Sequence, residues 1–499
     1  MLFYVFFSSY LLVNHLFLKE NCITNNKKVS LIGGCGGFST TNTITIIGCG
    51  AGGGTAAQFA RKTDRQAEIT IIEKGPYAQY SKCGLPYVLS KEIPSFSELV
   101  EFSPEWFEKA KIQVHLNTTV ESINKEKKTL QISKGATKED INYDKLIIAT
   151  GARPFLPPIS GLLKDKNLIQ GAYTFRTIQD AQRVQQHLIP KSKAIVIGAG
   201  LIGLEVAEAF ISQNVQVTLI EAEPTILPLS MDADICKMIL EHGNKNLAIK
   251  THHLVSKIIE KNSKIHAIEC TNKETNETEH IDADMIIIAT GVIPETSLAA
   301  SIDCKIGTTG GIVVNTKCET TVPHVYAVGD CTEYPDLITG NPVNIGLGSI
   351  AVRQGIAAGS NAAGGNYILQ PGVIQTRTSQ FFNQEIAAVG PPIKELEEKQ
   401  VVYGKFSGSS VLDYFPGGKP ITIKVIADQK TGIILGAQGV GSNAAQRINT
   451  YACAIQNKMT LDDFRKMETA YAPPIAPTLD VLTLASDATY MKQQRKQRT

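Results

Sequence analysis

The sequence lacks the features that mark several large classes of protein. Its 49 Lys and Arg residues nearly balance 47 Asp and Glu residues over 499 positions, so the net charge of +2 indicates no nucleic-acid partner. None of the ten cysteines forms a Cys-x-x-Cys spacing, which removes the common zinc motifs and predicts no metal. The absence of a small disulfide framework is typical of the reducing cytoplasm, where most of these cysteines are expected to be inert core thiols.

The N-terminus lacks the basic residues of a secretory signal. Residues 2–18 are strongly apolar, but polar residues interrupt them and the run is short for a membrane span. Two interpretations stay open for residues 1–42: a disordered extension or a misassigned start, and a membrane contact made through residues 1–20. The first is favoured because the first strand of the fold is predicted to begin only near Thr43. The cytoplasmic location that we expect rests on the cysteine usage.

Cys83 lacks a nearby cysteine partner. It lies in the run Ser-Lys-Cys-Gly-Leu-Pro-Tyr, ten residues after Glu73, and the positions five residues to either side hold Ala78 and Val88. A redox pair of the Cys-x4-Cys type is therefore excluded. If Cys83 cycles through a disulfide, its second sulfur comes from a small thiol, a persulfide or another part of the protein. The alternative is a buried structural thiol.

What the sequence does contain is one pattern that occurs twice. A β-strand runs into a Gly-x-Gly-x-x-Gly turn, a helical stretch follows, and a second strand ends at an acidic residue. The glycines allow a tight turn close to a pyrophosphate, and the carboxylate accepts a hydrogen bond from a ribose hydroxyl. The residues are Gly48, Gly50, Gly53 and Glu73 in the first copy, and Gly198, Gly200, Gly203 and Glu221 in the second.

Each copy closes with an apolar strand that ends in Ala-Thr-Gly. The first of these tripeptides contains Thr150 and Gly151, and the second ends at Gly291. Two complete repeats of strand, glycines, acid and tripeptide predict two dinucleotide-binding domains. A further short apolar run leads to Gly329 and Asp330, where the carboxylate either binds a polyol or caps a helix.

The pattern changes after about residue 370. The β-runs 421–427 and 433–437 are joined by Asp-Gln-Lys-Thr-Gly, which predicts a hairpin. We therefore expect a third, α+β domain at the C-terminus.

Together these elements resemble the pyridine nucleotide-disulfide oxidoreductases over about residues 43–485. The single Cys83 is similar to the group that contains coenzyme A disulfide reductases, NAD(P)H persulfide and polysulfide reductases, and NADH oxidases and peroxidases. The resemblance implies an α/β fold with two Rossmann-like domains and a C-terminal dimerisation domain, hence a homodimer. The implied boundaries are 43–160 and 291–366 for FAD, 161–290 for NAD(P)H, 370–485 for dimerisation and 486–499 for a polar tail.

The resemblance also implies roles for individual residues. The first glycine motif, Glu73, Thr150, Gly151, Gly329 and Asp330 would hold FAD, and the second motif, Glu221 and Gly291 would hold the nicotinamide nucleotide. Glu221 favours NADH over NADPH, because a carboxylate repels a 2′-phosphate and no Lys or Arg lies between Val215 and Lys237. Glu205 matches an acid that lies near the flavin in relatives; the alternative is an exposed helix carboxylate.

Two departures from the family pattern narrow the group. Ala51 stands where peroxidases and oxidases of this group carry a histidine, and no histidine follows His324 to act as the general acid of the glutathione-reductase branch. Tyr471 in Tyr-Ala-Pro-Pro, with Tyr414, matches the tyrosines that the partner subunit supplies in coenzyme A disulfide reductases. Ordinary interface packing is the alternative for both tyrosines.

The implied substrate is a small thiol compound. Arg61 and Lys62 match positions that hold coenzyme A phosphates in relatives. The alternative for both residues is that they lie on a solvated helix face. Gln79 stands where some relatives have a serine. The expected activity passes electrons from NAD(P)H through FAD to Cys83, and then to a coenzyme A disulfide, persulfide or polysulfide. We expect the pKa of the Cys83 thiol to lie below the free value of about 8.5. The competing functions are an NADH oxidase that reduces oxygen and a non-catalytic redox-sensing flavoprotein.

Overall fold

The computed structural model describes residues 42–241, 246–262, 264–396 and 399–498. The predictions for residues 1–41, an extension or a membrane contact, lie outside this range. Within it, no helix is long and apolar enough to cross a membrane.

The chain begins with a parallel sheet and a small antiparallel sheet. All isoleucines of β1 are buried, on both faces of the strand, as expected for a central strand of a covered parallel sheet. β1 pairs in parallel with β2 and β7, and β4, β5 and β6 form a separate three-stranded meander. The elements are β1 (Thr43–Ile47), α1 (Ala51–Thr63), β2 (Glu68–Ile72), α2 (Leu85–Leu89), α3 (Pro104–Lys109), β3 (Ile112–His115), β4 (Thr119–Asn124), β5 (Thr129–Lys134), β6 (Thr137–Asn142), β7 (Lys145–Ile148) and β8 (Ala152–Pro154).

The next part of the chain repeats this topology. Its parallel sheet has the order β11-β18-β12-β13-β14, and β15, β16 and β17 form a second meander. The elements are β9 (Leu163–Lys164), β10 (Asn167–Leu168), β11 (Ala172–Thr174), α4 (Ile178–Gln186), β12 (Lys193–Ile197), α5 (Leu201–Ser212), β13 (Gln216–Ile220), α6 (Ala233–Leu240), β14 (Leu247–Lys250), β15 (His253–Lys261), β16 (Lys264–Asn272), β17 (Thr278–Asp282), β18 (Met285–Ile288) and β19 (Val292–Pro294).

The chain then returns to the first domain and completes its sheet. The elements are α7 (Ser297–Ala300), β20 (Ile312–Val313), β21 (Val325–Ala327), β22 (Thr332–Pro335), β23 (Pro342–Val343) and α8 (Gly348–Ala362). β21 joins β7 to give the order β21-β7-β1-β2-β3. The outgoing and returning segments pair as an antiparallel ribbon, in which β8 lies beside β19. The second nucleotide domain is therefore an insertion in the first.

The C-terminal domain is an antiparallel sheet covered by helices. Its strand order is β24-β25-β28-β27-β26, and β27 and β28 form the predicted hairpin. Tyr451 is fully buried between sheet and helix and stacks on Phe464. The elements are β24 (Arg377–Phe381), β25 (Gln384–Val389), β26 (Val401–Ser409), β27 (Pro420–Asp428), β28 (Ile434–Gly441), α9 (Ala444–Gln456), α10 (Leu461–Phe464) and α11 (Val481–Arg498).

The C-terminus corrects one prediction. Residues 486–498 are not a solvated polar tail, because α11 continues to Arg498 and packs against β26. Thr489 and Gln493 are buried in this contact, and the Gln493 amide donates to the Gln429 carbonyl at 3.1 Å. Polar side chains can be buried here because hydrogen bonds satisfy them. A prediction of a solvated tail from the polar composition was therefore wrong.

Candidate active site

The first glycine turn has the geometry of a pyrophosphate site. Gly48 has φ +98°, and a side chain at Gly53 would collide with the carbonyl oxygen of Gly48, so both positions require glycine. Gly50 faces open space, with no atom within 4 Å of where a Cβ would stand. In the described chain no side chain caps the N-terminus of α1, which leaves its backbone N–H groups available to a phosphate.

Glu73 is fixed beside this turn by two backbone N–H groups. Its Oε2 accepts from the N–H of Cys49 at 2.7 Å, and its Oε1 accepts from the N–H of Gly75 at 2.7 Å. A carboxylate has about four acceptor sites, so Glu73 retains capacity for ribose hydroxyls. The turn and the acid together fit the adenosine half of FAD.

The second glycine turn repeats this arrangement. Gly198 has φ +102°, Gly203 packs on the carbonyl of Gly198, and Gly200 faces open space. Glu221 is only 8% exposed; its Oε2 accepts from the N–H of Ala199 at 2.7 Å and its Oε1 accepts from Glu223 at 3.0 Å. These residues fit a second dinucleotide in the way that the repeated sequence pattern predicts.

The closing tripeptides shape the ribbon between the two nucleotide domains. Gly151 has φ +70° and Gly291 has φ +107°. Gly151 directly precedes β8 and Gly291 directly precedes β19, the two strands of the ribbon. The Thr150 hydroxyl donates to the carbonyl of Glu295 at 2.5 Å, which ties the outgoing segment to the returning one. A direct contact of these residues with a cofactor stays a prediction.

Asp330 forms an ion pair that the sequence analysis missed. It lies in a 3₁₀ turn, Gly329–Cys331, and the cap residue of that turn is Val328, so Asp330 is not an N-cap. Its Oδ2 accepts from Nη2 of Arg176 at 2.8 Å, and the side chains are 13% (Arg176) and 21% (Asp330) exposed. No motif surrounds Arg176, and 154 positions separate the partners, so no sequence signal could have linked them.

Cys83 is accessible, which rules out a buried structural thiol. It lies in the 3₁₀ turn Lys82–Gly84, directly before α2. All described cysteines are free thiols, and apart from Cys83 only Cys453 is exposed. The buried ones are Cys49, Cys236, Cys270, Cys304, Cys318 and Cys331. Within the described chain, Cys83 therefore has no disulfide partner.

The protonation of Cys83 differs from the sequence prediction. Although solvent reaches the side chain, the surrounding protein raises the pKa of the Cys83 thiol, first through burial and then through the negative charges of Glu205 and Asp330. The neighbouring Lys82 acts in the opposite direction. The expectation of a lowered pKa is thus wrong for the chain by itself, because burial, together with the two carboxylates, outweighs one backbone hydrogen bond and one lysine.

Glu205 belongs to this group of charges. It lies on α5, directly after the second glycine turn, and its Oε1 accepts from the Ser379 hydroxyl of β24 at 2.6 Å. Burial raises the pKa of Glu205, and the Ser379 hydrogen bond partly offsets this. Glu205 is therefore not an exposed helix carboxylate but part of the wall beside Cys83.

Tyr414 and Tyr471 lie together on loops of the C-terminal domain. The hydrogen bond that the Tyr414 hydroxyl donates to Tyr471 raises the pKa of Tyr414. Tyr414 is 71% exposed and Tyr471 is 49% exposed within one chain. The structure brings the two predicted tyrosines to one surface, where both phenols are open to another molecule.

Arg61 and Lys62 differ in what their cations contact. The Arg61 guanidinium donates to the carbonyls of Ala110 and Lys111 at 2.9 and 2.8 Å, and also to Asp64 at 3.2 Å. Lys62 lies over the Phe59 ring and only weakly contacts Gln58, at 3.4 Å. Arg61 thus holds α1 to the segment before β3, whereas the Lys62 ammonium is freer to meet an anion.

Comparison with known proteins identifies the class. Residues 42–355 match the model of the pyridine nucleotide-disulphide oxidoreductase family, and residues 376–482 match the dimerisation domain of the same family. The chain belongs to this family. Membership confirms the predicted α/β fold, the predicted enzyme class and the cofactors FAD and NAD(P)H.

Individual relatives cover nearly the whole protein. The chain is 35% identical to the NADH oxidase of Methanocaldococcus jannaschii over 90% of this chain and 99% of the relative. It is 32% identical to the CoA-dependent NAD(P)H sulfur oxidoreductase of Pyrococcus abyssi, over 89% and 97%. The structure of a NAD-dependent persulfide reductase from A. fulgidus has a TM-score of 0.85 and 32% identity, covering 91% of this chain and 84% of that one. All three names describe oxidoreductases that use a nicotinamide nucleotide.

Proposed function

We propose that this protein reduces a small-molecule disulfide, persulfide or polysulfide, using NADH as the electron donor and Cys83 as the only redox-active cysteine. One observation carries the proposal: Cys83 is exposed and unpaired beside Glu205 of one nucleotide domain and Asp330 of the other. A thiol at the meeting point of two dinucleotide sites is placed to exchange electrons with the cofactor and atoms with a substrate.

The chemistry at Cys83 is thiol–disulfide exchange. The Cys83 thiolate attacks one sulfur of the substrate, a Cys83–S bond forms, the substrate S–S bond breaks, and the leaving thiolate takes up a proton. FAD, when bound, supplies two electrons that it receives from the nicotinamide. These electrons break the mixed disulfide and release the second thiol from Cys83. Because Cys83 lacks a protein partner, the substrate must provide the other sulfur of the mixed disulfide.

Coenzyme A is the substrate component that the relatives favour. The Pyrococcus abyssi relative is named as CoA-dependent. In this chain the exposed Lys62 is the better candidate for a coenzyme A phosphate, since the donors of Arg61 are engaged by backbone carbonyls. Lys62→Gln should then raise the KM for a coenzyme A substrate more than the KM for a small disulfide without phosphates.

The active unit is proposed to be a homodimer. The match to a family dimerisation domain supports the assembly, and the exposed pair Tyr414 and Tyr471 supports a shared site. In this arrangement Tyr471 of the partner subunit faces Cys83 and assists substrate binding and proton supply. The absence of any histidine after His324 leaves tyrosine as the acid available from that domain.

Oxygen reduction is the second candidate function, because one extensive relative is named NADH oxidase. Ala51 weighs against it, since the position offers no acid or base for peroxide. A purely redox-sensing flavoprotein is disfavoured by the exposed Cys83, which such a protein does not need.

A substrate panel tests the three functions together. We expect anaerobic, stoichiometric NADH oxidation with coenzyme A disulfide, coenzyme A persulfide or polysulfide, and slow NADH oxidation with oxygen alone. Cys83→Ser should abolish the sulfur-dependent rate while NADH still reduces the bound FAD. Fast oxygen consumption with no response to any sulfur compound would overturn the proposal.

A further inference from the structure

The loop that follows Glu221 returns to the second glycine turn. It spans residues 222–231, between β13 and α6. Ala199 of the turn is bonded from both sides: its N–H donates to the Glu221 carboxylate at 2.7 Å, and its carbonyl accepts from the N–H of Leu227 at 2.8 Å. The loop therefore supports the turn that is predicted to bind the nicotinamide nucleotide.

Leu227 makes its contact with the turn from a strained backbone conformation. Its φ is +50°, in the left-handed region that a leucine rarely adopts. A residue in this region persists only where the surrounding structure fixes it. The carbonyl of Leu227 accepts from the N–H of Ser230 at 2.8 Å and from the N–H of Met231 at 3.1 Å. The bond between Leu227 and Ala199 therefore depends on the position of the last residues of the loop.

Arg377 of the C-terminal domain fixes these last residues. Its Nη1 donates to the carbonyl of Leu229 at 2.6 Å and to the Ser230 hydroxyl at 2.9 Å. The Leu229 side chain is 66% exposed, so apolar packing does not hold this part of the loop. The guanidinium is itself oriented by Gln375, whose carbonyl accepts from Nε at 3.1 Å and whose amide oxygen accepts from Nη2. Gln375 in turn donates to the fully buried Asp336 at 2.9 Å.

Other contacts join the C-terminal domain to the same region. The N–H of Asp232, directly after the loop, donates to Oε1 of Gln438 at 2.9 Å, and its Oδ1 accepts from the N–H of Ile393 at 2.9 Å. On the other flank of the glycine turn, the Ser379 hydroxyl of β24 donates to Glu205 of α5 at 2.6 Å. The C-terminal domain thus contacts both elements that flank the turn.

We propose that Arg377 is a positioning residue for the adenosine half of NADH, and that it acts through Leu227 on the second glycine turn. The inference rests on the part of the proposed function that makes NADH the electron donor, and it is independent of the sulfur substrate. When Arg377 no longer holds Leu229 and Ser230, the strained Leu227 relaxes and the turn loses a support.

The position of the loop predicts which half of the nucleotide is affected. In dinucleotide sites of this kind, the acid at the end of the second strand contacts the adenosine ribose, and the nicotinamide lies on the far side of the pyrophosphate. The loop begins at this acid, Glu221. Loss of Arg377 should therefore weaken binding of the dinucleotide and leave the rate of hydride transfer from bound NADH unchanged.

The test follows reduction of bound FAD by NADH without any sulfur compound. FAD-loaded wild type and Arg377→Met are mixed anaerobically with increasing NADH in a stopped-flow instrument. The loss of flavin absorbance gives an apparent Kd for NADH and a limiting rate. For Arg377→Met, which loses the hydrogen-bond donors, we expect the Kd to rise about tenfold and the limiting rate to stay within about twofold of wild type.

Reduced nicotinamide mononucleotide separates positioning from a general defect. It lacks the adenosine that Glu221 is expected to contact, so it should reduce FAD with the same second-order rate constant in wild type and in Arg377→Met. Ser230→Ala removes one acceptor of Arg377 and should raise the Kd for NADH about threefold. Arg377→Lys retains a donor and should give a Kd between those of wild type and Arg377→Met.

Arg465→Met is the matched control. Arg465 also lies in the C-terminal domain, and its guanidinium donates to Asp462 at 2.9 Å and to Asp487 at 3.2 Å, both within that domain. The same substitution there should leave the Kd for NADH at the wild-type value. FAD content is measured for every variant, and Arg377→Met should retain the wild-type content.

Several results would overturn the inference. A wild-type Kd for NADH in Arg377→Met would show no role, and equal losses with NADH and with the mononucleotide would show a general defect rather than positioning. If Arg377→Met does not fold or retain FAD, the other two variants decide, and a wild-type Kd for NADH in both Ser230→Ala and Arg377→Lys overturns the inference. If NADH does not reduce the FAD of the wild type, the proposed electron donor itself fails, and this is seen before any variant is made.

Discussion

Arg176 and Asp330 form an ion pair of 2.8 Å across the boundary between the two nucleotide domains. Asp330 is the residue predicted to hold the ribityl chain of FAD, and Arg176 lies at the start of the second domain, next to α4. The backbone N–H of Arg176 in turn donates to Asp180 at 3.1 Å. The position of the carboxylate that we predict to bind FAD is therefore set by a residue of the domain that we predict to bind the nicotinamide nucleotide.

We predict that Arg176→Gln weakens FAD binding by about tenfold, equivalent to about 1.4 kcal/mol. The substitution removes the charge that orients the half-buried Asp330 side chain. FAD affinity is measured by reconstitution of the FAD-free protein with flavin fluorescence as the signal. Arg183→Gln is the matched control, because the Arg183 side chain is 63% exposed and pairs with Asp180 on its own helix. Unchanged FAD affinity in Arg176→Gln would show that Asp330 needs no such partner.

A second prediction concerns the pH at which Cys83 reacts. Since Glu205 and Asp330 raise the pKa of the thiol, removing one negative charge should lower it. In Glu205→Gln the midpoint of the curve of alkylation rate against pH should move to lower pH, because the thiolate is the reacting form. Glu260→Gln, an exposed change in the meander, should leave the midpoint in place. A shift to higher pH in Glu205→Gln would contradict the electrostatic assignment.

Nucleotide preference gives a third prediction. Wild-type protein should have a higher kcat/KM with NADH than with NADPH, because we expect the buried Glu221 to accept from a ribose hydroxyl and to repel a 2′-phosphate. Glu221→Gln should reduce this ratio by removing the repulsive charge while retaining the shape. Steady-state kinetics with both nucleotides measure the ratio. An intrinsic preference for NADPH would show that Glu221 does not set the selectivity.

The loop that carries Tyr471 ends at a buried ion pair. Asp480 accepts from Nε and Nη2 of Arg447 at 2.8 and 2.7 Å, and each side chain is 9% exposed. Arg447→Ala leaves a buried carboxylate without its partner and should destabilise the protein by about 3–5 kcal/mol in denaturant unfolding. The exposed Arg495→Ala should change stability by no more than about 0.5 kcal/mol. Similar effects of the two substitutions would mean that the pair does not anchor the loop.

Much of the fold follows from local sequence signals. Gly48 and Gly198 occupy left-handed turns that only glycine tolerates well, and each acid comes directly after its strand, so both nucleotide domains could be predicted from spacing. The hairpin of the C-terminal domain could be predicted in the same way, because Gly432 at φ +73° completes its turn.

The rest of the site depends on contacts between distant segments. Ser379 meets Glu205 only after the C-terminal domain has packed on the second nucleotide domain. Arg176 meets Asp330 only after the inserted domain has packed on the first domain. Neither Arg176 nor Ser379 lies in a sequence motif that predicts such a partner. The raised pKa of the Cys83 thiol could not be foreseen for the same reason, since two of its causes are carboxylates that lie far away in the sequence.

The most direct test of the central claim is the location of the mixed disulfide. Protein with reduced thiols is exposed to coenzyme A disulfide without NADH, quenched in acid, digested and analysed by mass. We predict that one coenzyme A is attached to the peptide that contains Cys83, that NADH then removes it, and that Cys83→Ser carries none. Attachment at Cys453 alone, the other exposed cysteine of the described chain, or no attachment to wild type, would contradict the claim that Cys83 passes electrons to a sulfur substrate.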